Sequence, residues 1–371
     1  MPRCRAVRLA LFSALTGAAL TGATLAGATL AGAPPAPAPG EAAVRDYDWQ
    51  LPRGFPTPAV PADNPMSDAK VALGRRLFFE PRLSLTGRYS CASCHDPARS
   101  FSDGRSVARG ATGAALSHNA MALVNVAYNV SFGWTTPEVR TLEAQMRKPL
   151  LSRHPIELGL AGRERALCAA LAADPAYAAA FAQAFDEARG ARPPGASGVT
   201  FDRIVKAIAA FERTLISGHS PFDRYVFEGE HDALSAQAKR GMALFFSPRV
   251  GCAGCHSGFN FAGNWRDRQG ATGRPSFANN GASLGEMRVP TLRNVALTAP
   301  YMHDGRFATL DAVLRHYSGL AARVAATGGQ IDPRLPQRAL TDGERADLIA
   351  FLDSLTDEGF VRRFASAAAA P

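Results

Sequence analysis

Cys252-Ala253-Gly254-Cys255-His256 and the earlier Cys91-Ala92-Ser93-Cys94-His95 hold most of the chemistry open to this chain. Both read Cys-x-x-Cys-His. Two thiols one helical turn apart can each add to a haem vinyl group, and the His that follows can turn its imidazole onto the iron. A lone Cys-x-x-Cys also serves as a redox dithiol or half a zinc site, but neither needs the fifth-position His. Only Cys4 and Cys168 stand outside the two pentapeptides, so the pattern predicts two covalent haem c groups, with His95 and His256 on the two irons. The elements that position them are also repeated. Gly74-Arg75-Arg76-Leu77-Phe78-Phe79-Glu80-Pro81-Arg82 precedes the first pentapeptide, and Gly241-Met242-Ala243-Leu244-Phe245-Phe246-Ser247-Pro248-Arg249 precedes the second. Both read Gly-x-x-Leu-Phe-Phe-x-Pro-Arg, which predicts two copies of one haem-binding unit.

A chain of 371 residues suits two domains, each able to bury its own core. Residues 1–33 differ from the rest. Arg3, Arg5 and Arg8 precede an uncharged run of Ala, Leu, Gly and Thr, with small-x-small triplets at Ala26-Gly27-Ala28 and Ala31-Gly32-Ala33. This reads as a secretory signal peptide cleaved near 28 or 33; the earlier site is preferred because Pro34 follows the later one. The rival, an uncleaved membrane anchor, is weakened by the Gly and Thr that dilute the apolar run. Export to the periplasm also fits covalent haem attachment, which in bacteria happens outside the inner membrane. Cys4 leaves with the signal, so Cys168 has no disulfide partner within the chain and reads as an inert buried thiol. The formal charge of +9, three of it from the signal arginines, favours an acidic protein partner or an anionic surface. No nucleic-acid motif is present, and membrane contact is expected only through the signal peptide.

In order, the chain reads as a Pro-rich leader (34–64), an N-terminal haem domain (65–230), a C-terminal haem domain (231–360) and a tail (361–371). Ser67 caps a helix over 68–79 that Pro81 ends. Residues 141–148 are helical, with Pro149 and Pro155 breaking the next stretch. A helical stretch over 163–189 is interrupted at Asp174-Pro175, and Arg192-Pro193-Pro194-Gly195 is an exposed loop. Thr200 opens a helix with Ile204, Val205, Ile208, Phe211 and Leu215 on one face, closed by Gly218. The second unit starts near Ser235. A Gly- and Asn-rich loop covers 258–285, Pro290 to Arg306 is an ordered loop, and 309–317 is helical. The last helix opens on the capping box Thr341-Asp342-Gly343-Glu344. Strand signals are sparse. The fold class is mainly α: two c-type cytochrome domains, each with one covalent haem, and long ordered loops.

These residues resemble the bacterial dihaem cytochrome c peroxidase and MauG superfamily from about Pro65 to Thr356. The most specific stretch runs from Pro290-Thr291-Leu292-Arg293-Asn294-Val295 through Tyr301-Met302-His303-Asp304-Gly305. Leu142-Glu143-Ala144-Gln145, with Pro155-Ile156-Glu157-Leu158-Gly159 after it, is similar to the family's distal-pocket segment. Asn125-Val126-Ala127-Tyr128-Asn129, Trp134 and the run from His154 to Gly159 look most like MbnH, a dihaem enzyme that converts a Trp of its partner MbnP to kynurenine.

The resemblance implies roles residue by residue. Counted from His303, the family's methionine-ligand position falls on Tyr317, where MauG-like enzymes also carry Tyr. His256 and Tyr317 are then the ligands of the second iron, with Met287 and Met302 as the rivals. A hard phenolate favours higher oxidation states, whereas Met favours ferrous iron. Many relatives place a distal His in the glycine-rich loop; Arg109-Gly110-Ala111-Thr112-Gly113 has none, and the nearby His118 reads as a polar loop residue. The first haem, on His95, is then open. Glu157 matches the catalytic Glu that moves a proton between peroxide oxygens. Gln145 matches the distal-pocket Gln, and Glu143 is a nearby rival carboxylate that reads as a helix-surface charge. Trp134 matches the Trp between the haems. Asn119, Thr298 and Pro300 match an interhaem calcium site.

MauG carries a surface Trp just before its second haem motif; Val250 stands there here, and Trp265 is a candidate relay. The function implied is a periplasmic MauG/MbnH-like oxidase. It would use hydrogen peroxide to reach a high-valent bis-Fe(IV)-type state and oxidise a Trp of an MbnP-like periplasmic protein. The alternative is a cytochrome c peroxidase fed by a small cytochrome c or cupredoxin. A dihaem electron carrier is the non-enzymatic reading, disfavoured by the open first iron.

Overall fold

The structure, a computed structural model, describes residues 47–136, 138–185, 198–263, 276–279, 282–326 and 339–368. The signal peptide, the leader before residue 47, the loop from Arg192 to Gly195, Trp265 and residues 369–371 lie outside these residues.

Side-chain caps set most helix starts. Helix α1 (Asp68–Phe78) begins where the Ser67 hydroxyl accepts from the Lys70 N–H, and ends just before Pro81. Helix α2 (Leu142–Leu151) is capped by Thr141 and runs three residues past its expected end. Pro149 lacks an N–H, but the turn closes regardless because the Ser152 N–H reaches the Lys148 carbonyl at 2.8 Å. Helices α3 (Glu164–Ala172) and α4 (Pro175–Phe185) split at Asp174, whose carboxylate accepts from the Ala176 N–H. Helix α5 (Phe201–Arg213), capped by Thr200, stops at Thr214, short of Gly218. Helical turn α6 (Pro221–Asp223) leads into the second unit. There α7 (Ala236–Phe245) is capped by Ser235, α8 (Leu310–Ser318) by Thr309, and α9 (Leu320–Ala326) follows directly. Helix α10 (Asp342–Asp353) opens on the reciprocal Thr341–Glu344 box. Strands β1 (Ser276–Asn279) and β2 (Ala282–Glu286) pair antiparallel within the Gly- and Asn-rich loop.

Among the described residues two large hydrophobic cores form, one per haem unit, and a smaller cluster gathers Val126, Phe132, Val139, Leu142 and Ala209. Leu77, Phe78, Phe101, Ile204, Ile208 and Phe211 centre the first. Phe245, Phe261, Leu348, Phe351 and Leu355 centre the second. The repeated phrase gains its meaning here. Helix α1 packs on α5 and α7 packs on α10. At each crossing the repeated glycine lets backbones touch: a Cβ on Gly74 would lie 1.8 Å from the Ala207 carbonyl oxygen, and one on Gly241 would lie 1.8 Å from that of Asp347.

The two ends of the chain also differ from the sequence reading. Helix α10 is not the last; α11 (Glu358–Ala368) occupies the expected tail and returns to the first core, where Phe360 is 2% exposed. Phe364, one turn on, stands 5.5 Å from the ring of Phe101. The leader from residue 47 is also packed: Phe55 is buried with its ring 4.8 Å from that of Phe259. Among the described residues, no helix is long and apolar enough to cross a membrane.

Gly241→Ala should destabilise the protein by at least the 1–3 kcal/mol, roughly, of core overpacking, because the clash is with backbone. Gly343→Ala, with open space around its Cβ, should instead gain about 0.4–1 kcal/mol. Thermal unfolding of the two variants measures both; equal midpoints would remove the packing role given to Gly241.

Candidate dihaem active site

His95 and His256 each present Nδ1 to a backbone carbonyl, Phe101 O at 2.9 Å and Phe261 O at 3.1 Å. A carbonyl only accepts, so Nδ1 carries the proton and Nε2 keeps its lone pair for a metal. The carbonyls are aimed by left-handed backbone: φ is +54° at Ser100, +61° at Phe101 and +47° at Phe261. Bulky residues rarely adopt that region, and here the two phenylalanines are locked inside the cores. Burial lowers the pKa of both imidazoles, that of His256 to about 4, which keeps them neutral as ligation requires.

Burial also pushes the motif thiols up, Cys94 to about 11 and Cys252 to about 12, with Cys91 raised as well. A redox dithiol needs the opposite shift. Among the described residues no three His, Cys, Asp or Glu side chains converge as a zinc site would require. What the motifs do border are two cavities, of about 870 Å³ and 280 Å³.

The larger cavity is lined by Cys91, Cys94, His95, Trp134, Gln145 and Glu157, so the structure gathers the residues expected around the first haem. Gln145 projects from α2, and its Oε1 is buried with no hydrogen-bond partner in the protein. An orphaned acceptor in a cavity of this size fits a bound group that donates to it. Burial raises the pKa of Glu157, with Lys148 opposing in part. The glycine-rich loop positions that carboxyl. A Cβ on Gly110 would lie 2.0 Å from the Ile156 carbonyl oxygen, and the Ala111 N–H donates to the Glu157 carbonyl at 2.7 Å.

The smaller cavity is lined by Cys252, Cys255, His256 and Tyr317, and also by Met287 and Met302. Burial pushes the Tyr317 phenol up to about 12, and it lies close enough to Cys255 and Cys252 for thiolate charge there to raise it further. Trp134 and Asn119 line both cavities. The Trp134 indole N–H donates to the Asn119 carbonyl at 2.9 Å, and the Asn119 N–H donates to the His303 carbonyl at 2.7 Å. The Asn119 amide nitrogen also faces the Pro300 carbonyl at 3.3 Å, whereas the Thr298 hydroxyl bonds Val295 O within its own turn. Asn119 and Pro300 are thus brought together, and a calcium ion there would need the Asn119 amide turned to present Oδ1.

The sequence profile of the family described as di-haem cytochrome c peroxidase matches residues 68–232. MauG of Methylorubrum extorquens is 36% identical over 323 residues, covering 84% of each chain. Cytochrome-c peroxidase IdrP1 of Denitromonas iodatirespirans is 34% identical, covering 81% of this chain and 85% of its own. A crystal structure of a MauG-like protein associated with microbial copper homeostasis superposes with a TM-score of 0.74 at 35% identity, over 85% of this chain and 97% of that one. The chain belongs to the dihaem cytochrome c peroxidase and MauG family. It is a haem-dependent oxidoreductase of the kind that acts with peroxide.

Within this dihaem enzyme, two residues of the larger cavity escaped the sequence reading. Glu212 is 5% exposed and lines the cavity, and burial drives its carboxyl to about 8. Its signal was available: a carboxylate at the i+4 spacing of Ile204 and Ile208 on an apolar helix face. Arg288 lines both cavities, and its N–H donates to the Trp134 carbonyl at 2.9 Å. Glu143 is no surface charge. It is held by the Arg213 guanidinium at 2.6 and 2.8 Å and by Asn64 at 2.6 Å, away from the cavity lining. Cys168 is half-buried, and burial raises its thiol pKa.

In the ferric protein, electron paramagnetic resonance should show one high-spin haem, on His95, and one low-spin haem with His256 and Tyr317 as ligands. Tyr317→Met should convert the low-spin signal toward His/Met ligation. Two low-spin signals with a methionine-sulfur absorption band in the unaltered protein would overturn both assignments.

Proposed function

We propose that this enzyme is a MauG/MbnH-type oxidase that uses hydrogen peroxide to withdraw electrons from a Trp of an exported partner protein, with kynurenine as the product. The observation that carries this reading is Tyr317 at the second-haem cavity, in the position where the peroxidases keep Met. The MauG-like neighbour associated with microbial copper homeostasis supports a MauG-type role over a peroxidase one. The signal-peptide pattern of residues 1–33 supports export to the periplasm.

When bound, the two haems supply the redox chemistry. The chain's own residues supply the proton handling. Glu157 takes the proton of incoming peroxide and returns it to the departing oxygen. Gln145 Oε1, with no partner inside the protein, accepts a hydrogen bond from peroxide or water and fixes its approach. Trp134, on the wall common to both cavities, passes electrons from one half to the other. The Ala111 N–H and the close approach of Gly110 keep the Glu157 segment in place.

Glu157 acts first as a base, so its ionised form is the active one. Burial raises its pKa, so the reaction with peroxide should climb with pH through a point above the ordinary carboxylate value of about 4.3. Glu157→Gln should abolish that limb and slow the reaction by about 100- to 10,000-fold, with haem content unchanged. Stopped-flow mixing across pH measures this; wild-type rates in the variant would hand the proton to another group.

Peroxide alone should activate the ferric enzyme without prior reduction, because the loop from Arg109 to Gly113 carries no His to displace. Mass spectrometry of the partner should then show one Trp with the mass change of kynurenine. Rapid turnover with reduced cytochrome c and an unmodified partner would establish the peroxidase reading instead.

A further inference from the structure

The two haem-binding loops meet through polar side chains sealed from water. Ser100 and Asn294 are both 0% exposed, and Asn294 Nδ2 donates to Ser100 Oγ at 3.0 Å. Asn294 Oδ1 accepts from the Asp357 N–H at 2.8 Å, which fixes the amide's orientation. Ser100 is chain neighbour to Phe101, whose carbonyl holds His95. Asn294 is chain neighbour to Arg293, whose Nε donates to the Phe259 carbonyl at 2.8 Å. That guanidinium is closed off by Asp223 at 2.8 and 2.9 Å. Phe259 lies two residues before Phe261, whose carbonyl holds His256. One side-chain hydrogen bond therefore joins two segments that each end on a ligand histidine.

The internal repeat shows that this bond is particular to one half. Asn125 is the counterpart of Asn294. Its φ is +55° against +57°, and its N–H donates to Leu215 O as that of Asn294 donates to Leu355 O. Yet Asn125 spends its amide on the backbone of Ser217, donating at 2.9 Å and accepting at 2.8 Å. Asn294 alone of the pair reaches the other unit's haem loop. Val124 stands where the second unit has Arg293.

We propose that the Asn294–Ser100 hydrogen bond is a second link between the haem units, separate from Trp134, through which each half helps to orient the other half's ligand histidine. Ser100, Asn294 and Arg293 are positioning residues in this scheme. It rests on His95 and His256 being the iron ligands, which resonance spectra of the unaltered protein check separately.

Ser100→Gly removes the hydroxyl but keeps a residue at ease with φ +54°, so folding and haem loading should survive. The measurement is the midpoint potential and resonance signal of the haem in the opposite unit. The second haem's reduction equilibrium should shift about 3- to 10-fold, the scale of one net hydrogen bond, or about 30 to 60 mV at 59 mV per tenfold for one electron. Asn294→Gly should shift the first haem reciprocally, and the double variant should shift no further than the larger single effect. If Asn294→Gly fails to load haem, Ser100→Gly decides alone. A Ser100→Gly protein whose second haem keeps its wild-type midpoint and spectrum overturns the link. Additive shifts in the double variant overturn it too.

Discussion

The histidine of each Cys-x-x-Cys-His motif is held by a hydrogen bond from Nδ1 to a carbonyl aimed by left-handed backbone. Placing Phe101 and Phe261 at positive φ costs about 1–3 kcal/mol each. Burying each phenylalanine side chain returns about 1.5–3 kcal/mol, so the cores are what keep the carbonyls in place. Phe101 sits with Phe78, Phe360 and Phe364, and Phe261 with Phe222, Phe245 and Phe351. Each aromatic cluster therefore does two jobs: it is the hydrophobic core of its unit and the clamp that orients an imidazole. Helix α11 belongs to the first clamp, which explains why the chain crosses back to the first core after finishing the second.

Around that shared frame the two halves diverge. Gly74 and Gly241 make the same helix crossing, and Asn125 and Asn294 adopt the same left-handed turn. The ion pairs differ. The second unit buries Arg293 against Asp223, both 1% exposed. Removing one partner of such a pair costs about 3–5 kcal/mol because the survivor is left uncompensated. The first unit instead pairs Arg213 with Glu143, away from the cavity lining. That pairing takes up Glu143 and leaves Glu157 and Glu212 as the carboxyls that, among the described residues, line the larger cavity.

What was legible in the sequence was local. Ser67, Thr200 and Thr341 open the helices they precede, as read, because a cap is settled within four residues. Cys-x-x-Cys-His carries its chemistry in five residues. The family resemblance also singled out Gln145, Glu157 and Trp134, and all three line one cavity. What escaped was decided by partners distant in the chain. Glu143 looked like a surface charge until Arg213 and Asn64 came to it. Helix α11 escaped because Phe360 and Phe364 have their partners at Phe101, far upstream. Pro149 looked like a stop, yet the Ser152–Lys148 bond closes the turn beyond it.

Valine at position 250 fits the same logic of burial. It is 1% exposed, so the position where MauG carries a surface Trp faces inward here. Desolvation shifts Glu157 and Glu212 in the larger cavity and Tyr317 in the smaller, and its outcome differs between them. In the larger cavity it raises Glu157 and Glu212, and no positive group lies close enough to undo the shift. Carboxyls poised this way can hold and release a proton under mild conditions. In the smaller cavity it lifts the Tyr317 phenol to about 12, beyond any acid–base use near neutral pH. Only a cation at bonding distance would draw off that proton, as a coordinating metal does for a bound water or thiol. The same physical effect therefore leaves carboxyls that can exchange protons in one cavity and, in the other, a phenol that only a cation could ionise, the asymmetry that the proposed oxidase would require.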